Sequence, residues 1–427
     1  MKELLRAVWD DTLRALRQRL CEWTPRCRGD AERCLADGGD VVVIAFGKAA
    51  RTMAEAWLTA PLSPARQRGL VVPVGGDTAP LPPFEVIPGG HPLPDAGSFR
   101  AAQRALAFCR GVGPRDHIQF LISGGGSAML ERPLDPDVTV DAWRAFYRAL
   151  VGSGAPIDHV NRIRRRLSAV KGGRLAFAGA LARSQTSVVV RDVPGPVEDV
   201  ASGPTGCFDD EPDTLREDLR AAGCLDALPA ALRRLVDRGG VPPLPSRPEP
   251  LSRCAWITVL GEEDLVRAAV SRLQTRGLEV AHDEDTDDLP YELAAERLLQ
   301  RLAALHRAHP GRPVAVVATG ELSVPLPEDP GTGGRNQQFA LHCATRIAGQ
   351  PITVLSCGTD GIDGNSPAAG AVADGTTVAR ASSLGLDVGA ALRRCDAHPL
   401  LHALGDTVVT GPTGTNVRDL RVPVHAG

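Results

Sequence analysis

Lysine is nearly missing from this chain of 427 residues: among its 48 basic residues only Lys2, Lys48 and Lys171 are lysine, and the rest are arginine. A chain that uses arginine wherever any positive charge suffices retains a lysine where a compact ammonium fits and a planar guanidinium does not. Long apolar runs are also absent. No stretch approaches the roughly 18 residues that span a bilayer, which argues against a transmembrane helix. The first twenty residues lack the apolar core of a signal peptide and carry acids throughout. They read as an amphipathic helix with Leu4, Leu5, Val8, Trp9, Leu13, Leu16 and Leu20 on one stripe, and a cytoplasmic location is expected. A basic excess is missing too: the formal net charge of -3 argues against a nucleic-acid binder. The ten cysteines include no C-x-x-C pair, so reduced, mostly buried thiols fit better than a zinc site.

What is present is a regular alternation. Apolar, β-branched runs at 41–46, 70–74, 117–122, 186–191, 255–260, 314–319, 352–357 and 407–410 predict strands. Helical patterns fill 48–58, 99–110, 137–151, 172–183, 262–276, 290–308 and 336–348. This predicts an α/β protein of parallel sheets with helices on their faces. The length calls for two domains. Five prolines within 241–250 (VPPLPSRPEP) predict a semi-rigid linker, dividing the chain into 1–240 and 251–427.

Glycine-rich turns follow nearly every predicted strand, where ligands of open parallel sheets bind. Lys48 sits in such a turn, Gly47–Ala50. Gly124, Gly125 and Gly126, flanked by Ser123 and Ser127, bring backbone N–H and hydroxyl donors to an anion, or else form an ordinary tight turn. Other such turns are Arg191-Asp192-Val193-Pro194-Gly195 leading into Ala201–Thr205, Gly333–Asn336, Gly358–Gly364 and Thr410–Asn416. No G-x-x-x-x-G-K-[ST] loop occurs, and no strand is followed by G-x-G-x-x-G, which speaks against a P-loop NTPase and against a nicotinamide cofactor. The basic stretch Asp158–Gly173 is either a solvated helix face or places Lys171, with Asn161, beside an anionic ligand. Asp360 and Asp363 either share Mg²⁺ or stabilise a turn.

Taken in order, the segments AFGKAA, GGHPLPDAGS, LISGGGSAML, Asn161–Gly173, DVPG…SGPT, GGRNQQ, GTDGIDG…AAGA and TGPTGTNV resemble the class II glycerate 2-kinase family, whose C-terminal part is called the MOFRL domain. The likeness runs from Lys48 to Asp419. It implies a Rossmann-like parallel-sheet N-terminal domain and a smaller α/β C-terminal domain with an interdomain cleft. It also implies ATP- and Mg²⁺-dependent conversion of D-glycerate to 2-phosphoglycerate. By that resemblance Lys48 and Arg335 hold carboxylate and phosphoryl charge, and Asp192 acts as base or orienting group at the substrate hydroxyl. Gly124–Ser127 cradle phosphates, while Asn336, Thr413, Gly414 and Asn416 complete the binding wall. The partners are then a small hydroxy acid and a nucleotide, with no nucleic acid or membrane; the oligomeric state, a homo-oligomer included, stays open. Arg191, Pro196, Arg166, Thr332, Gln338 and Gly261-Glu262-Glu263 depart from the family's usual residues. Those departures leave room for a different hydroxylated acceptor, and a hydroxypyruvate reductase is the weaker alternative.

Overall fold

The computed structural model describes residues 1–23, 27–59, 62–193, 195–208, 214–245 and 254–427. The chain forms two compact units, one of residues 20–259 and one of residues 1–19 with 260–427. This differs from the expected split at 241–250, a linker that lies partly outside the described residues. Two causes are visible. The strand predicted at 255–260 joins the first sheet. The amphipathic N-terminal helix Lys2–Glu22 begins among the charges of the C-terminal unit. There Lys2 Nζ donates to buried Asp406 at 2.8 Å, and Arg6 donates to the carbonyls of Thr407 and Gly405 at 2.9 and 2.8 Å.

In the unit of residues 20–259 the strands are β1 (Val41–Phe46), β2 (Gln67–Val72), β3 (Glu85–Val86), β4 (His117–Ile122), β5 (Ser184–Val190) and β6 (Cys254–Leu260), in the order β3-β2-β1-β4-β5-β6. The pairings among β1 to β5 are all parallel. Every residue of β1 is buried, which is why its sequence is a continuous apolar run with no alternation. From β1 the chain passes through helix Ala50–Leu58 to β2, then to β3, and helix Ala96–Arg110 carries it back to β4 on the other side of β1. The strand order thus reverses between β1 and β4, the point of an open parallel sheet at whose carboxyl edge ligands bind. Helix Ala96–Arg110 starts at a reciprocal cap, Asp95 accepting from the Ser98 amide while Ser98 Oγ accepts from the Asp95 amide. A second core lies under helices Val140–Val151 and Ile157–Leu167, around Trp143, Phe146, Tyr147 and Ile163.

The other sheet comprises β7 (Glu279–Asp283), β8 (Val314–Gly320), β9 (Ile352–Gly358), β10 (Gly370–Asp374), β11 (Thr407–Val408) and β12 (Asp419–His425), ordered β11-β10-β9-β12-β8-β7. It is mixed, which corrects the expectation of parallel sheets throughout. Only β7 pairs with β8 in parallel; β12 runs antiparallel to both β8 and β9, and β10 to β9 and β11. The connection from β9 to β10 contains no helix, and parallel neighbours need a helical crossover. Strand β12 carries no apolar run of its own, because Asp419, Arg421 and Pro423 interrupt its pattern. Pairing with β9 is continuous, while no pairing with β8 is formed at Val422 and Pro423, where proline offers no N–H.

Asp406 is almost fully buried and accepts from Lys2, Arg380 and Thr377. Asp406→Ala strands these donors and is expected to lower unfolding free energy by about 2–3 kcal/mol, a buried-pair loss reduced for the partly exposed Arg380. Denaturant titration followed by circular dichroism measures it.

Candidate active site

The register of the first sheet aligns Phe46 with Ile122 and Ile122 with Val189, so Gly47-Lys48, Ser123-Gly124 and Arg191-Asp192 leave the sheet at one edge. The Lys48 amide donates to the Gly124 carbonyl and the Ala49 amide to Ser123 Oγ, each at 2.9 Å. Ser123 is fully buried, so its hydroxyl clamps the two loops together instead of facing a ligand, a correction to the expected phosphate contact. The amides of Gly124 and Gly125 have no hydrogen-bond acceptor among the described residues, although Gly124 is buried. Unmet N–H groups of this kind are donors in waiting for an anion. Gly125 adopts φ +81°, and a Cβ there would lie 3.1 Å from His91 Cδ2 and 3.2 Å from Lys48 Cγ. Both side chains therefore pack over the glycine, and His91 joins the residues the sequence reading missed. Its signal was present in the GGHPLPDAGS segment.

Behind this edge, Ser202 Oγ bonds Ser127 Oγ and Asn161 Oδ1, both at 2.8 Å. Ala201 and Ser202 hold φ of 57° and 62° before Gly203 at 68°. Two consecutive non-glycine residues in the left-handed region cost energy that the surrounding contacts must offset. Ser202 was the second omission, within a Gly-rich segment already noted. Asn161 is thereby engaged in positioning Ser202.

Lys171 is a correction. Its side chain is 1% exposed, with Nζ donating to the Leu130 carbonyl at 3.2 Å and lying 3.4 Å from Glu131 Oε2. Glu131 is fully buried and also accepts from Tyr147 Oη at 3.0 Å and Ser168 Oγ at 2.6 Å. Tyr147 Oη in turn reaches the Ser127 carbonyl at 2.8 Å. Lys171 therefore braces the floor of the glycine loop. Burial lowers its pKa, against the opposing pull of Glu131.

In the other unit Arg335 opens helix Arg335–Arg346. Its Nε donates to Asp419 at 2.6 Å and its Nη1 to Glu321 at 2.7 Å. Burial works against its charge, but the Asp419 and Glu321 carboxylates outweigh it and raise the pKa above the ordinary arginine value. Nη2 makes no hydrogen bond among the described residues. Asn336 was expected to bind ligand but is buried, its Oδ1 accepting from Ser356 Oγ at 2.7 Å and its Nδ2 facing Asp363. Thr413 Oγ1 donates to the Thr359 carbonyl at 2.5 Å and Thr415 Oγ1 to the same oxygen at 3.2 Å, pinning the 411–418 loop to the end of β9. Gly414 turns at φ 70° in that loop, and Asn416 is 8% exposed. Glu262, the first residue of helix Glu262–Gln274, meets Arg418 at 3.2 Å, and Arg418 also grips Asp287 with two hydrogen bonds of 2.6 and 2.7 Å.

The carboxylate pair expected to hold Mg²⁺ does not fit a cation. Asp363 is 2% exposed, Oδ1 accepting from the Asn336 backbone and side chain and Oδ2 from the Gln337 backbone and side chain. All four acceptor positions of the carboxylate are used, and it caps the N-terminus of helix Arg335–Arg346. Asp360 Oδ1 accepts from the Ile362 amide at 3.1 Å and lies, with Asp419 Oδ1, beside Gly358, each about 3 Å from where its Cβ would be. Among the described residues no three His, Cys, Asp or Glu side chains form a metal-holding group.

A family model described as a domain of unknown function, DUF4147, matches residues 5–237, and a MOFRL family model matches residues 314–419. A protein named D-glycerate 2-kinase from Thermotoga maritima is 31% identical, over 89% of this chain and 89% of its own length. The chain belongs to the glycerate 2-kinase family with a MOFRL C-terminal region. Another member, named a putative hydroxypyruvate reductase, from Agrobacterium vitis, is 36% identical over 90% of this chain and 98% of its own. A crystal structure titled as a glycerate kinase of T. maritima superposes with a TM-score of 0.82 at 28% identity, covering 99% of both chains. The family's MOFRL match coincides with the mixed sheet from β8 to the start of β12. No helix among the described residues is long and apolar enough to cross a membrane.

Lys171→Arg keeps the charge but forces a larger group into a full pocket; thermal and denaturant unfolding should show a loss of about 1–3 kcal/mol. Burial raises the Asp363 pKa from 3.8 to about 6. Its contribution to stability is therefore full below pH about 4 and lost as pH rises through about 6. The stability of the protein minus that of Asp363→Asn should fall across this window in denaturant titrations.

Proposed function

We propose that the chain is an ATP- and Mg²⁺-dependent kinase that converts D-glycerate to 2-phosphoglycerate. The observation that carries this reading is the pair of unmet amides at Gly124 and Gly125 beside Lys48, at the reversal point of the first sheet. In phosphoryl transfer the substrate hydroxyl oxygen bonds to the γ-phosphorus as the bond to the nucleoside diphosphate breaks, and negative charge spreads over three oxygens. Catalysis is then mainly positioning and charge stabilisation. Lys48 acts as a point charge on the moving group, with the glycine amides as fixed donors. Asp192, at the same edge, accepts the hydroxyl proton. Arg335 offers Nη2 to an anionic oxygen while Glu321 and Asp419 hold its plane. Asp360 and Asp363 are given no metal role; Mg²⁺ is assigned to the nucleotide phosphates, its usual partners. We place the enzyme in the cytoplasm, on its cysteine usage.

The Agrobacterium relative's name favours a second reading, hydroxypyruvate reduction. Against it, β1 is followed by Gly47-Lys48-Ala49-Ala50 and not by the glycine fingerprint that admits a pyrophosphate.

ADP release coupled to a fluorescent readout, with D-glycerate and a panel of other hydroxy acids, decides between them. D-glycerate-dependent ADP release is expected, with no oxidation of reduced nicotinamide by hydroxypyruvate. Lys48→Ala should lower turnover at least about 100-fold, the scale of losing one charge-stabilising group. Near-normal turnover in that variant would remove Lys48 from the site.

A further inference from the structure

A groove of about 650 Å³ lies beside the Lys48 edge and shares none of its residues. It is walled by the Gly75–Gly76 turn with Thr78, the start of helix Ala96–Arg110 with Arg100, and helix Val140–Val151 with Asp141 and Arg144. In this chain arginines near a carboxylate are normally bound to it. Arg51, which anchors the loop after β2, pairs with Asp77 and donates to the Ala79 carbonyl at 2.6 Å. The two arginines of the groove do otherwise: neither Arg100 nor Arg144 makes a hydrogen bond or ion pair among the described residues. Arg144 Nε is buried without an acceptor, an expensive condition for a charged donor. Asp141, one turn earlier on the same helix, also lines the groove yet makes no bond to Arg144. Asp95 is taken, accepting from the amides of Gly90 and Ser98 at 3.1 and 2.8 Å.

We propose that this groove is a second anion site, taking a small phosphate-bearing ligand between Arg100 and Arg144. Two guanidinium groups approaching from different helices suit a tetrahedral dianion; the carboxylates of Asp95 and Asp141 also line the groove, and neither is bonded to these guanidinium groups. The Gly75–Gly76 turn presents no side chain to obstruct the ligand. The site stands apart from the Lys48 edge. Between them runs the Gly89–His91 segment, whose Gly89 packs against the Met129 carbonyl and whose His91 covers Gly125.

The test is isothermal titration calorimetry of the full chain with inorganic phosphate, in the absence of nucleotide and hydroxy acid, so that it stands or falls independently of the kinase reading. Binding is expected to survive Lys48→Ala and to weaken at least about tenfold in Arg100→Gln/Arg144→Gln, the scale of losing charged hydrogen bonds. Ala96→Glu guards against a folding defect: an acid in the first helical turn favours the helix and reaches Arg100 at i,i+4, so phosphate binding should weaken while the melting temperature holds. Glycerol 3-phosphate is titrated in parallel. Tighter binding than phosphate assigns the groove to a phosphorylated metabolite, and equal binding to free phosphate. Unchanged phosphate affinity in both groove variants, or loss of all phosphate binding in Lys48→Ala, overturns the proposal.

Discussion

Two hydrogen bonds clamp the loops that leave β1 and β4: the Lys48 amide to the Gly124 carbonyl, and the Ala49 amide to Ser123 Oγ. They act where the strand order reverses, the place at which neighbouring loops would otherwise diverge. With the Gly124 carbonyl turned toward Lys48, the amides of Gly124 and Gly125 are left without partners among the described residues. The lysine side chain is at the same time laid over Gly125, whose left-handed backbone leaves room for it and for His91. The stem of Lys48 and the two glycine amides are thus held together by the fold itself.

The support for this clamp is polar and lies deep. Glu131 gathers Lys171, Tyr147 and Ser168, and Tyr147 passes the constraint to the Ser127 carbonyl. Burying such a set is costly unless every member is satisfied. The other unit follows the same rule, with Arg418 gripping Asp287 and Asp363 filled by four donors. Arg421 is wholly buried and donates to the carbonyls of Gly320 and Thr319, its Nε and that of Arg418 finding no acceptor among the described residues, and burial pulls the Arg421 pKa down to about 10.

How much was legible in the sequence depended on how each signal is written. Buried parallel strands such as β1 and β4 announce themselves as apolar runs, and the glycine turns after them were located to the residue. The short edge strand β3 and the charged central strand β12 carry no such run, because pairing and burial of Asp419 and Arg421 are decided by neighbours far along the chain. Among site residues, sequence chemistry finds groups able to bind anions but not which way they face. Lys171 and Asn336 have suitable side chains, yet both are spent inside the protein, and Asp363 spends its oxygens on a helix end. His91 and Ser202 were passed over for the opposite reason: a lone histidine or serine in a motif gains meaning only from the side chains placed against it.

Helix Lys2–Glu22 has a consequence for the order in which the protein is made. Its charged partners include Asp374, Asp406, Asp264 and Arg276, and all of residues 20–259 emerge from the ribosome before any of these. The amphipathic stripe of Leu5, Val8, Trp9 and Leu16 must therefore remain shielded while the unit of residues 20–259 folds, and the mixed sheet cannot close until its central strand β12 has been synthesised. A cut in the proline-rich stretch would not release two self-sufficient domains. It would leave one fragment carrying a helix that belongs to the other.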